Sequence, residues 1–239
     1  SSDVCSSDLE KIADEDRKAV HRLAAVLLEN LYSQGGTEYI EELIYHLEKS
    51  NQDEKIIDYC IENAEKMKLL KNRSDAIKNL TKAVSIMDYS WNPVKNIKLI
   101  MDLASLHEQE GNIDLAINYY LSLQKYDENT KLYKYIIDSL IKVAEVYLSK
   151  NSIDESVHYI EEIEALLGKV DYVCGMLKCK SILASVYDIR QEYGKVQAIC
   201  RSCIEACIGE YEELKIIFYN HMGLAYLRCG RAQEAIGRA

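Results

Sequence analysis

The chain has 239 residues, 48% hydrophobic and 28% charged, a balance that excludes a disordered polar segment and is long enough to bury a sizeable core. One proline and ten glycines leave few breakers, which favours helices joined by short turns. A net charge of −10 would be repelled by phosphate backbones and anionic lipid, so neither nucleic acid nor a membrane is expected as a partner of this segment, and no apolar run is long enough to span a bilayer.

In chain order, apolar periodicity predicts helices over 10–32, 38–50, 54–70, 73–88, 94–110, 113–126, 131–149, 153–168, 171–190, 193–208 and 211–229, with a last one starting at 232. The Trp91-Asn92-Pro93 step breaks the chain between the fourth and fifth. Residues 1–9 (SSDVCSSDL) and 236–239 (IGRA) read as translations of a sequencing-library adapter on opposite strands. They are set aside, so native sequence is expected over 10–235, with flanking domains missing. Residues 10–54 then form an N-terminal helical linker or first helix pair, and 55–235 form repeats. Eight cysteines without a signal peptide point to reduced thiols in a cytoplasm, and abundant Lys, Ile, Asn and Tyr suit an AT-rich bacterial genome.

The strongest signal is a repeat of about 40 residues. Small residues recur at Ala64, Ala104, Ala144, Ala184 and Gly223. Three residues later stand Met67, His107, Tyr147, Tyr187 and Tyr226; seven later come the turn positions Lys71, Gly111, Asn151, Gln191 and Gly230; twelve later come Ala76, Ala116, Ser156, Val196 and Ala235. Apolar residues three and four apart share one helix face, so each repeat holds two amphipathic helices, A and B. The small residue lets the paired helix approach, and the aromatic one turn on fills the space beside it. Neither stripe can be buried alone, so neighbouring repeats must stack.

This small–aromatic–turn–small order resembles the tetratricopeptide repeat (TPR) family, best over residues 221–235 and well over 103–116. HEAT repeats, with a similar period, lack that order. The resemblance implies an all-α, right-handed superhelical solenoid of antiparallel helix pairs whose A helices line a concave groove. It places Lys98, Met101, Ser105 and Glu108, then Asp138, Ile141 and Glu145, then Lys178, Ser181 and Ser185, and finally Asn220 on that groove. A partner protein or peptide would bind there. A second stretch, His21-Arg22 to Glu29 followed by Glu42-Leu43-Ile44-Tyr45-His46, resembles the segment joining the nucleotide-binding part of large bacterial signalling ATPases to a helical-repeat sensor. No Walker motif occurs, so this segment is not expected to bind ATP.

The chemical candidates have plainer readings. Cys200, Cys203 and Cys207 lie along one helix face, where small core residues are the expectation and a metal or redox role the alternative. The five histidines show no metal-binding spacing, and adjacent acidic pairs such as Glu161-Glu162 point about 100° apart on a helix. No catalytic residue, metal ligand or cofactor site is therefore expected. The chain reads as a non-catalytic scaffold or sensor segment of a larger signalling protein, with a peptide-pheromone regulator as the alternative.

Overall fold

The computed structural model describes residues 14–88, 92–126 and 130–230. Within them every long element is helical: α1 Asp14–Ser33, α2 Ile40–Lys49, α3 Asp53–Leu69, α4 Arg73–Ile86, α5 Pro93–Gln109, α6 Ile113–Leu121, α7 Tyr133–Ser149, α8 Ile153–Leu167, α9 Val173–Ile189, α10 Tyr193–Ala206 and α11 Lys215–Arg228. Short 3₁₀ turns precede α2, follow α6 and lead into α7 and α11, and they account for the places where helices are shorter than the periodicity predicts. The adapter-like ends, Trp91, Ala235 and the expected helix from 232 lie outside the described residues.

The chain divides into two compact units, residues 1–112 and 113–239. In the first, α1 packs on α2, α2 on α3, α3 on α4 and α4 on α5. The core is built from Leu43 and Leu47 of α2, Ile56 and Ala64 of α3, Ala76 and Leu80 of α4, and Ile97, Leu103 and Ala104 of α5. α1 contributes little, with Ala25 its one fully buried residue and Val20, Leu23 and Leu27 exposed. In the second unit α7 packs on α8 and α9, and α11 on α10 and α9. Leu177, Ala184, Val196, Cys200, Cys203, Phe218, Met222 and Tyr226 form one continuous cluster there.

The repeat's small positions explain the pairing. Ala64, Ala104, Ala144 and Ala184 are all fully buried, as are Ala76, Ala116, Ser156 and Val196. Where α7 meets α8, the Ser156 hydroxyl donates to the Ala144 carbonyl at 3.0 Å, both residues being small and fully buried. Gly223 differs: a Cβ built on it meets nothing within 4 Å among the described residues.

The turns repeat as strictly. Positive φ occurs at Lys71, Gly111, Asn151, Gln191 and Gly230. In the first four, the next residue's N–H returns to the carbonyl of Met67, His107, Tyr147 or Tyr187, at 2.8–2.9 Å. This closes the A helix with a left-handed cap that satisfies its last carbonyls. α5 starts on a different device: the Asn92 side chain accepts from Lys95 N–H at 3.2 Å, and Pro93 takes the first helical position, where no N–H is needed.

Candidate interaction face

The A helices carry side chains that meet one period apart. In the second unit, Lys178 Nζ of α9 lies 3.2 Å from Asp138 Oδ1 of α7. The other oxygen of Asp138 accepts from the Tyr172 hydroxyl at 2.8 Å, and burial, followed by that carboxylate, pushes the phenol well up. Ser181 Oγ of α9 is 3.1 Å from His221 Nε2 of α11. Burial lowers the pKa of His221, with Asp188 opposing, so the imidazole is held neutral. Asp188 Oδ2 pairs with Arg228 of α11, while its buried Oδ1 has no hydrogen-bond partner among the described residues. In the first unit α3 and α5 are linked by Lys95 with Asp58, and by Lys68 with Asp102 at 3.0 Å, pairs 37 and 34 residues apart.

Of the residues expected on the groove, Lys98 and Asn220 are exposed. Met101, Ser105, Glu108, Asp138, Glu145, Lys178, Ser181 and Ser185 are half-buried on the same faces of their helices. Ile141 is corrected: at 2% exposure it belongs to the core of the second unit and offers no surface to a partner. An apolar residue beside Leu140 and Ala144 gains more from that core than from a wet face. Sequence reading missed Asp58 in the first unit, and Tyr172, His221 and Arg228 in the second, as partners in these links. The signal was present, because Asp138 and Lys178, Ser181 and His221, and Asp188 and Arg228 are each complementary pairs 40 residues apart.

A second set of ion pairs joins the end of one A helix to the start of the preceding B helix: Arg73–Glu110 at 3.3 Å, Lys150–Asp114 at 3.1 Å and Arg190–Asp154 at 3.5 Å. These partners are largely solvent-exposed, so each contributes little and serves mainly to fix register.

The other candidates resolve simply. Cys200, Cys203 and Cys207 sit inside the apolar cluster of the second unit. Burial pushes the Cys200 thiol up to about 12 and raises the other two, the opposite of what a metal-binding or nucleophilic thiol needs. Among the described residues no group of three or more His, Cys, Asp or Glu side chains is placed to hold a metal ion, and no helix is long and apolar enough to cross a membrane. His21 and His46 come together, with Nδ1 of His21 2.8 Å from Nδ1 of His46 between α1 and α2.

Comparison with known proteins agrees with this architecture. The tetratricopeptide repeat family model matches residues 97–130, which carry α5 and α6. No curated protein is a significant match. Among solved structures, a signal transduction ATPase with numerous domains and a tetratricopeptide repeat sensor, from Pyrococcus horikoshii, superposes with TM-score 0.67 at 15% identity. That match covers 95% of this chain and 36% of the other. BtubC from P. vanneervenii gives TM-score 0.57 at 15% identity over 96% of this chain and 89% of that one. Kinesin light chain TPR-like repeats from Podosopora anserina give 0.59 at 15% identity over 76% and 90%. At such identities the likeness concerns the fold alone: residues 97–130 match a tetratricopeptide repeat, and the described residues have an all-α, TPR-like helical-repeat fold.

Proposed function

We propose that this chain is a non-catalytic protein- or peptide-binding module whose A-helix face receives an extended or helical segment of a partner. The observation that carries this reading is the polar and apolar mixture on the A helices of the second unit, where the Asp138–Lys178 pair stands with half-buried Ser181 and Ser185 and with exposed Ile217 and Leu224. A face of that composition can hydrogen-bond a peptide backbone and still bury side chains. The module would act as the sensor part of a larger cytoplasmic, bacterial signalling protein whose further domains give the output. The fold shared with a sensor-bearing ATPase and the stretch from His21 to His46 support that context.

Panning a random peptide library against the chain tests the binding role. Leu224→Glu and Asn220→Trp change exposed positions of the second unit, so both variants are expected to fold. Selected peptides that lose about tenfold or more in affinity for either variant support the reading. A library that yields no binder, or binders indifferent to both changes, refutes it. Sequencing the intact gene tests the context: an ATPase domain upstream supports the sensor role, whereas a short stand-alone repeat protein favours the pheromone regulator.

A further inference from the structure

The seam between A and B helices is filled differently in different repeats. Between α7 and α8, Tyr147 stacks on Tyr159 with ring centroids 5.6 Å apart and planes at 12°. Two periods earlier the same positions carry Met67 on α3 and Asn79 on α4. The residue before the small position, Leu103 and Val143 in the next two repeats and fully buried there, is Asn63 in this one. In that repeat lies a cleft of ≈690 Å³, lined by Ile40 and Ile44 of α2, Met67 of α3, Leu70 at the end of α3, Asn79 of α4, and Asn63. All of these belong to the first unit.

The polar atoms in the cleft are unevenly used. Asn63 Nδ2 donates to Asn79 Oδ1 at 3.3 Å, and Asn79 Nδ2 donates to the Asp75 carbonyl at 2.8 Å. The Asn63 carboxamide oxygen accepts no hydrogen bond among the described residues, although the residue is only 9% exposed. Packing alone does not call for an amide where the neighbouring repeats bury Leu103 and Val143. Leu69 and Leu70, which also line the cleft, stand 84% and 71% exposed. The volume is that of a small-ligand site, whose lining combines apolar side chains and a polarisable thioether with the charged groups of Glu41, Lys66, Lys78 and Lys82 and the Asn63 carboxamide.

We propose that this cleft binds an aromatic ring bearing a hydrogen-bond donor, such as an indole or a phenol. The ring takes the space that the Tyr147–Tyr159 pair fills two periods later, and the donor meets Asn63 Oδ1. The site does not depend on the reading of the A-helix face.

The test is titration of the full chain with indole, p-cresol and indene, the last an indole isostere without the N–H, followed by NMR at the Met67 methyl and the Asn63 and Asn79 side-chain amides. Indole is expected to give saturable shifts and to bind about three- to tenfold tighter than indene. Met67→Tyr with Asn79→Tyr rebuilds the later ring pair and abolishes the shifts, with helix content unchanged by circular dichroism. Asn63→Leu, the residue type at 103, makes indole and indene equal. N-acetyl-tryptophanamide binding about tenfold tighter than indole identifies a partner's side chain as the source of the ring, and equal affinities identify a free small molecule. Saturation by none of the probes, indole binding that persists in the folded double-tyrosine variant, or an indole preference that survives Asn63→Leu overturns the proposal.

Discussion

Three of the five caps that close A helices place a side chain where glycine fits best. Lys71, Asn151 and Gln191 hold φ of 59°, 59° and 61°, while Gly111 and Gly230 hold the same corner without a Cβ. Asparagine tolerates that region, but lysine and glutamine are strained in it. Lys71→Gly and Gln191→Gly are therefore expected to stabilise the fold by about 0.5–1 kcal/mol each, the relief of strain being partly offset by the freer unfolded chain. Urea denaturation measures this; a loss of stability in both variants would mean that the side-chain stems pack more usefully than the corner is strained. Thiol chemistry belongs to the same scale. Cys60, Cys179 and Cys200 are fully or nearly fully buried, and burial pushes their thiols up to about 11, 12 and 12, whereas Cys229 is exposed. Native protein treated with a thiol reagent should label Cys229 quickly and these three only on unfolding. Rapid modification of Cys200 in native protein would place the α9–α11 cluster wrongly.

At the scale of elements, the decisive contact is a small residue on an A helix facing its B helix. Ala144→Trp would drive an indole into the space bridged by the bond from Ser156 to the Ala144 carbonyl. A cost of about 1–3 kcal/mol or more is expected. Gly223→Ala is expected to behave oppositely, since an added Cβ meets nothing within 4 Å among the described residues and alanine favours the helix by about 1 kcal/mol. Thermal melts of the two variants should thus move in opposite directions, and a shared direction would break the assigned register. The small–aromatic–turn spacing made the helix order, the caps and the buried alanines readable before any coordinates. Side chains set by the sequence period were legible because the period is a property of the chain. Those set by the meeting of two helices were not: Ile141 goes into the core, and Tyr172 reaches Asp138 from the start of the next A helix. The cleft at Asn63 was hidden for a similar reason, because a missing ring pair shows only when positions twelve residues apart are compared across repeats.

For the whole molecule, the described histidines with a resolved shift all move the same way. Burial lowers the pKa of His21, aided by His46 and Lys49; burial alone lowers His107; and burial, opposed by Asp188, lowers His221. Each then takes up its proton at a lower pH in the folded chain than in the unfolded one. The stability these groups contribute is fully present above the ordinary histidine value of 6.5 and is lost as pH falls from there through the folded values. The unfolded chain binds more protons across that window, so unfolding becomes steadily easier on acidification, by at most about 1.4 kcal/mol per pH unit for each histidine. The thermal midpoint should therefore drop between about pH 7 and about pH 5. His107→Tyr, which installs the residue found at 147 and 187, removes one titrating group from the first unit, and His221→Asn removes one from the second. Combining them should flatten the pH profile more than either alone. A profile as steep as that of the parent chain would assign the acid sensitivity to carboxylates instead, since neutral imidazoles could then carry none of it.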